Sequence, residues 1–140
     1  METMTENNKA VVRRFNTEVI EQGNVDSFNA LMDVGFINRS APAGMDNGPQ
    51  GMIWFFNEIL RPAIPDIKVT IHDQIAEGDS VTTRKTISGT QTGPLLGVPA
   101  TGKAISIGVI DIVRVRDGKY FEHWGITTLP ELLATLAQAT

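Results

Sequence analysis

The sequence predicts an α+β fold in which an antiparallel sheet curls around helices from the N-terminal half. Three observations predict it. Up to Leu60, apolar residues recur every three to four positions, the helical period. From Ile67 onward the period changes to two, the strand period. The strands are joined by short turns at Glu77-Gly78-Asp79 and around Asp117-Gly118 rather than by helices, which excludes an alternating βαβ order. At 140 residues the chain reads as one domain, 1–140, large enough to bury a real core.

Each element follows from its residues. Thr5–Gln22 is expected to be helical, with Val11, Val12, Phe15 and Val19 on one side, Thr5 as an imperfect cap and Gly23 as the stop. A second helix is expected near Asp26, read as its N-cap, with Phe28, Leu31 and Met32 apolar. Phe36–Asn38 reads as a short strand, and the turn formers of 39–51 as a loop. The third helix runs from Pro49 to Leu60 and ends ahead of Pro62 and Pro65. Strands are expected from Ile67, over Ser80–Thr92, over Ala104–Val115 and over Lys119–Thr127. The Gly/Pro stretch Thr92–Lys103 reads as a loop over the sheet, a candidate lid, and Leu129–Ala137 as a closing helix.

Composition removes whole classes of function. A net charge of -4 and the lack of a basic stripe argue against a nucleic-acid partner. No apolar run approaches the ~18 residues of a membrane span. With no cysteine, disulfides and thiolate catalysis are excluded, and with only His72 and His123 no metal-binding histidine pair has the right spacing. Met1–Asn8 lacks the basic start and apolar core of a secretory signal, so a cytoplasmic protein is expected.

The informative stretch is Val109–Gly125, VIDIVRVRDGKYFEHWG, which reads as a β-hairpin. Asp111 has the same parity as Ile105, Ile107, Val109, Val113 and Val115, but Ile110 and Ile112 make the other side partly apolar too, so periodicity alone does not say which side is inside. The turn decides what it meets. A two-residue Asp117-Gly118 turn sets Trp124 opposite Asp111, whereas a three-residue Arg116–Gly118 loop sets His123 there, with Cβ atoms ~5 Å apart. A buried carboxylate beside an imidazole can do acid–base work near neutral pH. Asp73 shares parity with Ile71 and Ile75 and is a second candidate inward acid, while His72 is read as a surface residue. Arg84 and Lys85 have opposite parity on one strand, so one of them should be exposed.

Four segments appear in order: GPQGMIWFFNEI (48–59), PDIKVTIHDQIAEGDSV (65–81), GTQTGPLLGVPATGKAI (89–105) and DIVRVRDGKYFEHWG (111–125). Together, from Asn7 to Leu136, they resemble the SnoaL-like polyketide cyclase (ester cyclase) family. The resemblance implies the nuclear transport factor two-like fold, a cone-shaped curved antiparallel sheet, or α+β barrel, around a deep apolar cavity. It also implies a homodimer packed through exposed sheet faces, and ring closure by intramolecular aldol condensation without metal or cofactor. In this chain Gly125 stands where characterised members place a catalytic aspartate, and Asp111 where they place a histidine. His123 matches a family histidine, and Asn38 a cavity-lining asparagine. Positions 111 and 125 both face the cavity in those members, which supports the three-residue loop.

These readings converge on cofactor-independent chemistry on a small apolar or aromatic carbonyl ligand. Asp111 and His123 are the catalytic candidates. Asn38, Trp54, Arg84, Phe121 and Gly125 are the candidates for holding substrate. A non-catalytic small-molecule binding protein of the same fold, and an epoxide hydrolase-like enzyme, are the alternative functions.

Overall fold

The computed structural model describes residues 3–138. Helix α1 (Met4–Arg14) is capped by Thr3, whose hydroxyl accepts from the Glu6 N–H, two residues ahead of the expected Thr5. It continues beyond Arg14 as a π-helical stretch, Phe15–Glu21, and stops at Gly23, which adopts the left-handed φ of +68°. Helix α2 (Val25–Leu31) is capped by Asn24, not Asp26, because Asn24 has the extended backbone and its side chain accepts from the Ser27 N–H. Strand β1 (Met32–Asn38) comes directly after it. Helix α3 (Pro49–Trp54) passes into a second π stretch, Phe55–Leu60, and then α4 (Arg61–Ala63). The helical run therefore continues through Pro62. That proline lies in the first turn of α4, where a missing N–H costs little.

The remaining strands are β2 (Lys68–Glu77), β3 (Ser80–Thr90), β4 (Ala104–Arg116) and β5 (Lys119–Thr127), before helix α5 (Leu129–Gln138). They form a five-stranded, curved and unclosed sheet of order β1-β5-β4-β3-β2. Its pairs are antiparallel except β1, which runs parallel to β5, so the sheet is mixed where a wholly antiparallel one was expected. Among the described residues no helix is long and apolar enough to cross a membrane.

Two β-bulges change the register that alternation predicts. In β2, His72 is the extra residue between the pairs Ile71–Lys85 and Asp73–Arg84. Asp73 is thereby turned outward onto Arg84, at 3.0 Å, instead of inward with Ile71. In β5, Phe121 is the extra residue between Val115–Tyr120 and Arg114–Glu122. The hairpin turn itself has two residues, Asp117 and Gly118, both at positive φ, which matches the right-handed twist of the strands. The three-residue loop is not formed. The tight turn plus the bulge places Gly125, rather than His123 or Trp124, opposite Asp111.

The inner face is regular. On β4 every odd residue from Ile105 to Val115 is buried, and on β3 Val81, Thr83, Lys85 and Ile87 are buried. Val12, Phe15, Val19 and Ile20 of the first helical run pack against the core they form. Phe15 stacks on Tyr120, with ring centroids 4.2 Å apart, and meets Phe56 edge-on. Full burial of one such ring contributes about 1.5–3 kcal/mol.

The loop read as a candidate lid is tied down. Gln91, wholly buried, donates to the carbonyls of Gly93 and Pro99 and accepts from the Thr101 hydroxyl at 2.6 Å. Leu95 and Val98 of the same loop are buried.

Candidate functional site

Asp111 projects from the middle of β4 beneath the first helical run and is only 7% exposed. Lys85, on the neighbouring β3, is also buried, and its Nζ lies 3.4 Å from Asp111 Oδ2. The same ammonium donates to Asn16 Oδ1 at 2.6 Å, and Asn16 Nδ2 donates to the Val12 carbonyl. A lysine on a buried strand position is tolerable only when its charge is matched and its protons are accepted, and these two partners do both.

His123 reaches Asp111 from the other side. The two residues are diagonal neighbours, since His123 pairs with Val113 and Asp111 with Gly125. Its Nε2 nevertheless lies 3.4 Å from Asp111 Oδ2, the oxygen that also faces Lys85. Among the described residues Asp111 Oδ1 is buried without a hydrogen-bond partner. The His123 side chain is more open than that of Asp111, 16% against 8%.

Asn38 ends β1 beside His123, and its Oδ1 lies 2.8 Å from His123 Nδ1. Ser40 N–H also donates to that oxygen, at 3.0 Å, which identifies the atom as the acceptor end of the amide. Nδ1 must therefore be the donor, so Asn38 fixes the tautomer of the neutral ring, with Nε2 the unprotonated nitrogen.

Asn38 is pinned in turn. Its N–H donates to the Asn47 carbonyl at 2.7 Å, and the segment before α3 approaches Gly51 so closely that a Cβ there would lie 2.0 Å from the Asp46 carbonyl oxygen. Gly51→Ala is expected to destabilise the chain by about 1–3 kcal/mol, because backbone must move. Thermal unfolding measures it, and an unchanged midpoint would contradict the close approach.

The charges favour an ionised aspartate. Burial is the largest influence on Asp111 and opposes its charge, but Lys85 and then His123 outweigh it and hold the carboxyl below its ordinary value. Burial first, and the Asp111 charge second, hold the Tyr120 phenol well above its ordinary value, so it stays neutral. Asp79 and Glu122 are lowered as well, by hydrogen bonds from Arg114 and from Arg39 respectively.

Since the folded Asp111 value lies below the unfolded one, its contribution to stability is present above the ordinary carboxylate value and is lost as pH falls through the folded value. Stability is expected to be flat above about pH 5 and to fall below about pH 4. Denaturant titrations across that range measure it, and a rise in stability on acidification would refute the sign.

Other sequence candidates lie elsewhere. Arg84 is on the outer face, paired with Asp73, and lines an open groove of about 330 Å³ with His72, Ile110 and Ile126. Phe121 sits at the bulge under the guanidinium groups of Arg114 and Arg116, at 5.0 and 4.3 Å. Its parity with His123 is broken by its own bulge. Trp54 ends α3 with 46% exposure. His72 is exposed and hydrogen-bonded to Thr86. Gly125 is beside Asp111 and donates its N–H to Ser40 Oγ at 2.8 Å.

The structure thus joins Asp111, His123, Asn38 and Gly125, and adds Lys85 and Asn16, which sequence reasoning missed. One signal was available for Lys85, which shares the parity of Val81, Thr83 and Ile87. A lysine on that face needs an acid, and Asp111 is the acid on the buried parity of β4.

Comparison with known proteins agrees with this architecture. The family model for SnoaL-like polyketide cyclases matches residues 10–138. The solved structure of TsrD from Streptomyces laurentii is 27% identical with a TM-score of 0.83, covering 96% of this chain and 98% of that one. A protein from Jannaschia sp. CCS1, assigned as a SnoaL-like polyketide cyclase, is 26% identical with a TM-score of 0.83, covering 98% and 96%. An LEH-like epoxide hydrolase of M. tuberculosis, at 14% identity and a TM-score of 0.70 over 97% and 93%, shares the fold. No curated protein matches the sequence. With the model spanning nearly the whole chain and the same α+β sheet in both bacterial structures, this chain belongs to the SnoaL-like polyketide cyclase family.

Proposed function

We propose that the chain is a cofactor-independent acid–base enzyme that acts on a small, largely apolar carbonyl compound, with intramolecular aldol ring closure as its reaction class. One observation carries the reading. A buried carboxylate, kept ionised by Lys85, faces Nε2 of a more open histidine. His123 Nε2 takes a proton from the carbon beside the carbonyl. The imidazolium so formed stands 3.4 Å from the Asp111 carboxylate, which stabilises it. The enolate carbon bonds to a second carbonyl carbon of the same substrate, and the resulting alkoxide takes the proton back from Nε2.

The test does not need the natural substrate. Methyl acetoacetate in deuterated buffer, followed by proton NMR, reports abstraction at the activated carbon directly. The wild-type chain should accelerate exchange over buffer, and Asp111→Asn should not. A panel of activated ketones and esters that exchanges no faster than in buffer overturns the reading.

The burial of Asp111 and Lys85 beneath Asn16 favours a second reading, a non-catalytic binding protein of the same fold. A ligand recovered unchanged from the wild-type chain, with no exchange, selects it. Conversion of simple epoxides to diols would instead select water-activated opening.

A homodimer belongs to the same proposal. On the outer sheet face Ile110 pairs with Ile126 and Ile112 with Trp124, and all four side chains are exposed. This apolar block, rimmed by the Arg84–Asp73 pair, suits a second copy of the chain. Sedimentation should show a dimer that Ile126→Glu dissociates, and a monomeric wild type would refute it.

A further inference from the structure

We infer that Gly125 is a positioning residue for the imidazole: the bare backbone at position 125 is the seat on which His123 lies in order to reach Asp111. The inference rests on His123 being the acid–base group only for its consequence in turnover. The geometry stands without it.

The register sets the problem. His123 is directly opposite Val113, and the residue directly opposite Asp111 is Gly125. To bring Nε2 to Asp111, the ring must lean along β5 across position 125. A Cβ built there would lie 3.1 Å from His123 Cε1, 3.3 Å from Nε2 and 3.4 Å from Asp111 Cβ. Carbon contacts are comfortable only from ~3.5 Å. The ring therefore occupies the space that any side chain at 125 would need.

It cannot step aside freely. Nδ1 is held at 2.8 Å by Asn38, which is itself held by Ser40 N–H and the Asn47 carbonyl. The Nε2–Oδ2 distance is already 3.4 Å, so a shift of a few tenths of an ångström leaves an imidazolium formed there beyond hydrogen-bond range of the carboxylate.

Backbone conformation does not demand this glycine. Gly125 is absent from the residues with positive φ, so alanine fits its backbone without strain. What position 125 supplies is the lack of a side chain, which weakens a strand through backbone entropy. The aspartate that family resemblance implies at 125 would have to push this ring aside by a few tenths of an ångström, and it would add a like charge next to Asp111.

The test reads the ring. Long-range ¹H–¹⁵N spectra of wild type, Gly125→Ala, Asp111→Asn and the double variant report the Nε2 and Nδ1 environments of His123, while backbone amide spectra confirm that each is folded. Gly125→Ala should move the Nε2 signal toward its Asp111→Asn position and leave Nδ1 bonded to Asn38. Adding Gly125→Ala to Asp111→Asn should change Nε2 little, since the contact is already gone. Deuterium exchange on methyl acetoacetate should fall about tenfold or more in Gly125→Ala. A folded Gly125→Ala whose Nε2 signal matches wild type overturns the inference, and so do changes that simply add in the double variant. Failure of the exchange assay in wild type would sink the proposed reaction and leave the ring measurement decisive for Gly125.

Discussion

Asp111→Asn is expected to lower proton abstraction by about 10²–10³-fold, the range that one group stabilising developing charge contributes. The substitution preserves shape and one acceptor oxygen, so His123 keeps its place against Asn38. What disappears is the charge that stabilises the proton arriving on Nε2, 3.4 Å away. A stability cost accompanies it. Lys85 loses its counter-charge and keeps only the Asn16 contact, and a buried ion stripped of its partner costs about 3–5 kcal/mol, with the lower end expected because an oxygen remains. Exchange rates and denaturant unfolding on the same sample separate the two effects. A folded Asp111→Asn variant with undiminished exchange would remove the aspartate from the chemistry.

Lys85→Met is expected to destabilise the chain at neutral pH by about 3–5 kcal/mol, because it strands a buried carboxylate. It should also reverse the pH response. With Lys85 gone, burial is the dominant influence on Asp111 and raises its folded value above the unfolded one. The group then contributes most when protonated, so stability should recover as pH is lowered from 7 toward about 5, where the wild-type chain shows no gain. The double variant Lys85→Met/Asp111→Leu supplies the control. Replacing a buried ion pair with apolar side chains is often neutral or stabilising, so this chain should unfold near the wild-type midpoint while abstracting no protons. Equal stability of wild type and Lys85→Met at pH 7 would mean that the ion pair is not what keeps Asp111 charged.

Much of this molecule is legible along the chain. Residues 105–115 announce a strand that is apolar on both sides, and in the structure all six odd residues are buried. The change of period at Ile67 separates the helical half from the sheet. Asp111 stands out because it is a carboxylate where only hydrocarbon belongs, and His123 because it shares the hairpin. The pairing slips between Met32 and Ile37 of β1, and two further departures from simple alternation bear on the site. His72 and Phe121 are bulges, and each shifts the parity of the strand residues beside it. Asp73 turns outward for that reason, Phe121 meets Arg114 and Arg116, and Asp111 faces Gly125. Alternation has no signature for one extra residue.

The sequence by itself determined which segments are mainly helix and strand, and that Asp111 shares one face of β4 with five apolar residues. Those are local properties, set by side-chain period and turn chemistry within a few residues. The structure decided that this face is the inner one. Tertiary structure alone decided that Lys85 holds Asp111 charged, that Asn16, 69 positions away from Lys85, accepts its proton, and that Asn38, 85 positions before His123, fixes the imidazole. It also decided that a glycine is the seat of the ring. Such contacts are made by distant stretches of chain brought together by packing, and the cost of burying a charge makes them obligatory only once that packing exists.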